Sequence, residues 1–180
     1  MAGVPFGKNA KYYFVDPANG SDSNDGLSPE MACAGLETAY AKTTANQHDT
    51  IFYIGGSSGM NLAAAVTWAK DYTHLIGIFA PSHVAQRARI FQTSTLAGAL
   101  PLFTVSGDCC IFKNFYIFQG LADATSLINI SVTGERNYFE NVHIAGGGNA
   151  TQAVNGGASL SLAGSENRFV ECTIGVDTAT

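Results

Sequence analysis

Three acidic side chains in the second half of the chain, Asp108, Glu135 and Glu166, are the first place to look for chemistry. Asp108 and Glu135 each follow a glycine, Gly107 and Gly134, at the same offset, and Glu166 lies close to a third, Gly164. Regular coiling would therefore align Asp108 with Glu135 and bring Glu166 near. Paired carboxylates are what glycoside hydrolysis uses, one as acid and the other as base or nucleophile. Acids beside turn glycines are more often solvated corner residues, and that is the reading adopted. A second group, Asp16, Asp22, Asn24 and Asp25, offers the several oxygens that calcium wants. Its spacing fails the EF-hand pattern, because Gly26 stands where a ligand is needed, so it reads as a hydrogen-bonded turn system.

The remaining chemistry-bearing residues form no constellation. His48, His74, His83 and His143 show no ligand spacing, and His143 is expected to face outward. Cys33, Cys109, Cys110 and Cys172 follow no metal pattern, and adjacent Cys109 and Cys110 make a poor disulfide framework, so reduced thiols are expected. Cys172 falls on an inward position as a small core residue. Asn19-Gly20-Ser21, Asn129-Ile130-Ser131 and Asn149-Ala150-Thr151 match the glycosylation sequon. Tyr116, Tyr138 and Trp68 are expected outward, where they could serve as sugar platforms. No catalytic, cofactor-binding or metal-ligating residue is assigned, and no cofactor is expected.

What must position these residues is a repeat. Ser106 to Ile117, Thr133 to Ile144 and Ala163 to Ile174 align without a gap, their starts 27 and then 30 residues apart, inside the range of solenoid repeats. In each, a glycine precedes a phenylalanine (Phe112, Phe139, Phe169) by five positions, and an isoleucine (Ile117, Ile144, Ile174) follows five later. On a flat strand, residues five apart point to opposite faces. The conflict disappears if the chain bends at Asn114, Asn141 and Glu171. Phe115, Val142 and Cys172 then point inward with the isoleucines. Asparagine suits such a corner because it tolerates left-handed backbone angles and bonds nearby main chain.

Upstream of each unit lies an alternating pair: Phe103 and Val105, Ile128 and Ile130, Leu160 and Leu162. One coil therefore holds at least three short strands, with polar loops such as Gly146-Gly147-Gly148-Asn149 between coils. Strands stacked coil on coil are parallel. The fold expected is all-β, a right-handed parallel β-helix of about five coils, its hand following from the usual crossover rule. Ile51–Ile54, Val66–Trp68, Leu75–Phe79 and Arg89–Phe91 supply strands of less regular earlier coils.

Composition agrees: 13% of residues are charged, 46% are hydrophobic, and there are 20 glycines, as a thin stack of small residues requires. One domain over residues 1–180 is expected, with 1–49 as amino-terminal strand, polar loop and capping helix, and 50–180 as coils. A net charge of −5 without a basic run argues against nucleic acid. No apolar run approaches the length of a membrane span. The first ten residues lack the apolar core of a secretory signal, which leads us to expect a protein kept in a cytosol or released by assembly and lysis.

The run from Tyr12 to Gly56 resembles the opening of right-handed β-helix proteins of the pectate-lyase-like superfamily. The pieces are the strand Tyr13-Phe14-Val15, the polar loop Asp16 to Pro29, the helical segment Leu36 to Ala45 and the acid-led strand Asp49-Thr50-Ile51. The run departs from that pattern at Cys33 and Gly35, which weakens the expected helix cap. Leu36, Ala39, Tyr40 and Thr43 fall at helical spacing on one face, suited to covering the open end of a strand stack. No such plug follows Ile174, so either a partner covers that end or the chain continues. Lyase-like relatives typically place calcium-bound acids and an arginine or lysine base on one outer face. Lys113, Arg136 and Arg168 do not share a column that would match.

Proteins with this kind of opening recur among phage particle genes. The resemblance thus implies a non-enzymatic structural protein of a tailed-bacteriophage virion, in capsid decoration or the tail, partnered by other virion proteins and by copies of itself. A polysaccharide lyase or hydrolase, or a glycan-binding module, is the alternative.

Overall fold

The computed structural model describes residues 3, 7–56, 59–78, 88–92, 101–122, 124–146 and 149–176. His83, Phe79, Gly147, Gly148 and the last four residues lie outside that set. In chain order the elements begin with β1 (Tyr12–Val15), α1 (Leu36–Lys42), β2 (Thr50–Ile54) and β3 (Met60–Asn61). Next come β4 (Val66–Trp68), β5 (His74–Ile78), β6 (Arg89–Phe91), β7 (Phe103–Val105), β8 (Ile111–Lys113) and β9 (Tyr116–Gln119). The series closes with β10 (Ile128–Val132), β11 (Tyr138–Glu140), β12 (His143–Gly146), α2 (Ala150–Val154), β13 (Ala158–Leu162), β14 (Arg168–Val170) and β15 (Thr173–Gly175).

These strands form three parallel sheets. Sheet A runs β1-β2-β5-β8-β11-β14, sheet B runs β3-β6-β9-β12-β15, and sheet C runs β4-β7-β10-β13. From β4 onward each successive triple of strands places one in sheet C, one in A and one in B, the signature of a parallel β-helix. Among the described residues no helix is long and apolar enough to cross a membrane.

The expected column is present. Phe112 pairs with Phe139 and Phe139 with Phe169 in register. Their rings stack at 4.8 Å and 14°, then 4.5 Å and 8°. Offset stacks of this kind contribute beyond the area they bury. Ile117, Ile144 and Ile174 form the parallel column in sheet B. The bends are where the parity argument puts them: Asn114, Asn141 and Glu171 have φ of 58°, 51° and 52°. A second left-handed column was not foreseen. Tyr72, Cys109, Arg136 and Glu166, at φ of 52° to 57°, turn the chain just before each sheet A strand.

Two devices set the spacing between windings. A Cβ on Gly134 would stand 2.2 Å from the carbonyl oxygen of Gly107, and one on Gly164 would stand 1.9 Å from that of Gly134. The repeat glycine is therefore demanded by close approach of main chains. Three residues later an amide ladder begins. Asn137 Oδ1 accepts the N–H of Cys110 at 2.8 Å, and its Nδ2 donates to Gly107 O at 3.1 Å. Asn167 repeats this on Asn137 N–H and Gly134 O, at 2.8 and 2.9 Å. These bonds satisfy buried main-chain groups that the bend would otherwise orphan.

Register corrects one alignment. Phe103 and Val105 stack on Ile130 and Val132, which stack on Leu160 and Leu162. The pair Ile128 and Ile130 was thus placed two residues early. Parity along a strand is unchanged by a two-residue shift, so the error was invisible in the pattern. The last triple is less covered than its partners. Leu162 and Ile174 are 51% and 45% exposed where Val132 and Ile144 are fully buried. Phe169 and Cys172 are only partly buried against the core.

The helix is shorter than expected, ending at Lys42 because Thr43 is extended. Gly35 supplies no side-chain cap; instead the Asp22 carboxylate accepts the N–H groups of Ala34 and Gly35, at 3.1 and 2.8 Å. At the other end, Lys70 Nζ donates to the carbonyls of Tyr40 and Thr43 at 2.7 Å each, satisfying groups every helix terminus leaves open. Leu36 and Ala39 are buried in the core and Tyr40 packs on Trp68 at 4.3 Å.

Truncating the middle ring of the column tests this packing. Phe139→Ala is expected to lower unfolding free energy by about 3–5 kcal/mol, read by urea denaturation. A loss below about 1 kcal/mol would mean the ring is not enclosed.

Candidate functional site

The acids foreseen as a carboxylate group do not converge. Asp108 Oδ1 accepts the N–H of Glu135 at 2.8 Å, so this carboxylate bridges windings. Asp71 does the same one winding earlier, accepting Asp108 N–H at 2.9 Å. Glu166 stands in the neighbouring column and pairs with Arg136 Nε. Both partners are exposed, where such pairs contribute little. In the amino-terminal loop the carboxylates serve turns. Asp16 accepts the N–H groups of Ala18 and Asn19, at 2.9 and 3.1 Å, and Asp25 that of Leu27 at 2.9 Å. Asn24 Nδ2 donates to Ala32 O at 2.9 Å. Among the described residues no three His, Cys, Asp or Glu side chains cluster so as to hold a metal ion.

The thiols are sheltered. Burial pushes Cys110 up to about 11 and also raises Cys33 and Cys172; all four cysteines are unpaired with one another. Lys113 and Arg168 lie on the outer face of sheet A but in different columns. Lys113 is in register with Glu140, and Arg168 with Tyr138. Lys113 Nζ lies 3.1 Å from Glu140 Oε2, with side-chain exposures of 11% and 9%. Tyr138 OH donates to the same oxygen at 2.9 Å. This triad has the residue types of acid–base chemistry, yet it is too covered to admit a sugar chain. Its part is structural, a nearly buried ion pair whose charges cancel.

Of the three aromatic platforms, Trp68 is corrected. It shares its strand face with Val66, which points inward, and is fully buried. Its Nε1 donates to Thr73 O at 3.4 Å, and its ring stacks near Phe103 at 6.0 Å. Tyr116 does face outward. On β9 it alternates with buried Ile117 and Gln119, so Tyr116 and Phe118 share the outer side. Their rings lie 6.0 Å apart at 12°. His143, one winding on, meets Tyr116 edge-on at 4.8 Å and 65°. One winding back stand Arg89 and Phe91, in register with Tyr116 and Phe118. A Cβ on Gly120 would meet the Phe118 ring at 2.0 Å, so this glycine lets the ring lie close over the end of β9.

The result is a half-buried aromatic strip on the outer face of sheet B, with an exposed arginine at its edge. Flat rings with apolar faces and polar rims are what pyranose rings, apolar on one face and hydroxylated around the edge, can lie against. Tyr116 was legible as a platform. Phe118 and His143 were missed as its companions, although their register follows from the repeat.

No family model matches this chain, and no curated protein matches it. Among solved structures, it is similar to a pectin methylesterase mutant in complex with a hexasaccharide. The TM-score is 0.61 at 18% identity, covering 89% of this chain and 48% of that one. The likeness establishes the parallel β-helix fold. The chain spans about half the length of the structure it matches. One expectation is overturned here, the non-enzymatic character that the resemblance to phage-particle β-helices implied. A carbohydrate-active enzyme shares the fold, so such a stack is no mark of an inert protein.

Lys113→Met would leave Glu140 nearly buried without its cation and is expected to cost about 3 kcal/mol of stability. The double variant Lys113→Met/Glu140→Leu should recover most of that loss in urea denaturation. A harmless single substitution would contradict the structural role.

Proposed function

We propose that this chain is a carbohydrate-directed β-helix that seats sugar rings on the strip formed by Tyr116, Phe118 and His143. The observation that carries this reading is the nearly parallel pair of outward rings at 6.0 Å with a histidine edge beside them. The hexasaccharide in the similar pectin methylesterase structure supports the ligand class, by analogy of fold alone. In this reading the chain is one right-handed domain of about five windings. Residues 1–49 supply its first strand, loop and capping helix, consistent with the burial of Leu36 and Ala39.

A second reading places the chain in a tailed-phage particle, against other virion proteins and copies of itself. The resemblance of the opening from Tyr12 to Gly56 to that of β-helix proteins in phage particles favours it. Mass spectrometry of purified particles tests this; absence from every preparation counts against it.

For the carbohydrate reading, a panel of neutral and acidic oligosaccharides is titrated while Tyr, Phe and His ring resonances are followed by NMR. Ring shifts confined to Tyr116, Phe118 and His143 are expected. Tyr116→Ala should weaken binding at least about tenfold, roughly 1.4 kcal/mol. Assays for released methanol, unsaturated sugar and new reducing ends run on the same mixtures distinguish turnover from binding. If no oligosaccharide perturbs these rings, the assignment fails.

A further inference from the structure

His48 and His74 take no part in the aromatic strip, and their wiring is independent of the carbohydrate reading. His48 occupies the turn between α1 and β2 with a left-handed backbone, φ 63°. His74 opens β5 and is buried. The rings are nearly parallel at 20°, with His74 Nε2 3.2 Å from His48 Nδ1. The main-chain N–H of Ile111, on β8, donates to His74 Nδ1 at 3.0 Å. A backbone amide can only donate, so Nδ1 carries no proton and neutral His74 holds its proton on Nε2. That N–H donates to His48 Nδ1, which places the proton of neutral His48 on its own Nε2.

Both proton-free nitrogens of the pair are thus already accepting. A further proton can enter only at His48 Nδ1 or His74 Nδ1, and either entry removes a hydrogen bond. Burial drives His74 down to about 3, with a smaller contribution from His48. A proton on His48 Nδ1 would turn that ring away and leave the His74 Nε2–H buried without an acceptor, and one on His74 Nδ1 would set it against the Ile111 N–H.

The surrounding groups do not compensate. The Tyr72 ring meets His48 at 5.1 Å and 71°, and Cys109 lies against Tyr72 from the next winding. Asp49 spends its carboxylate on the N–H groups of Lys11 and Thr44, at 2.7 and 2.8 Å. Asp71 accepts Asn46 N–H through its carbonyl and Asp108 N–H through its carboxylate. Thr50 Oγ1 donates to the His48 carbonyl at 3.4 Å, not to the ring.

We propose that His48 and His74 form an acid-operated latch, in which protonation of the pair breaks its hydrogen bonds, frees the turn 43–49 from β5 and loosens the seat of α1. The sign is fixed by linkage. The folded-state value of His74 lies below its unfolded one, so its contribution is present above about pH 6.5 and is lost as pH falls toward about 3.

Hydrogen exchange of the whole chain, compared at about pH 7.5 and about pH 5 after correction for intrinsic rates, tests the latch. The wild type should lose at least about tenfold protection over residues 43–50 while β8 and β11 keep theirs. His48→Asn tolerates the left-handed backbone and can present Oδ1 near the place of Nδ1 without titrating. This variant should stay protected at both pH values. Equal loss in wild type and variant, or no loss in the wild type, overturns the latch. Nitrogen NMR of the wild-type rings gives an independent check at neutral pH. The proton of His74 is expected on Nε2, and the opposite tautomer overturns the wiring.

Discussion

Parallel strands stacked winding upon winding leave about 4.8 Å between equivalent residues, and the rest of the molecule answers to that spacing. At this distance flat rings can stack, and Phe112, Phe139 and Phe169 do so at 4.8 and 4.5 Å. Main chains at the sharp turns approach so closely that only hydrogen fits between Gly164 and the Gly134 carbonyl. Side-chain amides of Asn137 and Asn167 reach one winding back to main-chain groups at the bend. Register, turn residues and ladder all express one repeat distance.

That constraint also decides where function can reside. The interior is closed by side chains from all three sheets, with Trp68, Phe103, Phe112 and Phe139 filling it. A ligand can meet only the outer faces, the loops or the ends. On sheet A the outer charges of Lys113 and Glu140 are spent on one another. On sheet B, Tyr116 and Phe118 of β9 and His143 of β12 are outward rings that are partly open. The difference between the two faces comes from which residues occupy the outward positions, the first and third of β8, β9 and β11.

The later windings were legible because their repeats keep fixed offsets, so alignment places Phe112 over Phe139 over Phe169 without coordinates. The earlier winding was legible as strands, at Val66–Trp68, Leu75–Phe79 and Arg89–Phe91, but not as a copy of the repeat. Leu75 is the register partner of Phe112 and Lys70 stands opposite Gly107. The copy there lacks both marker residues, and the offset of 37 to the next one hides it further. Trp68 faces inward because strand parity puts it on the side of Val66, whatever its aromatic character suits it for. The Asn137 and Asn167 ladder could have been read from the aligned copies. The His48–His74 contact could not, since it joins a turn to a strand from another winding.

Stacked rings along the axis are the feature most open to direct measurement. In a sample with labelled phenylalanine rings, NMR should show proton contacts between Phe112 and Phe139 and between Phe139 and Phe169. It should show none between Phe112 and Phe169, which the middle ring separates. Absence of the two neighbour contacts, or a direct contact between the outer rings, would contradict the winding order on which the fold and its outer faces depend.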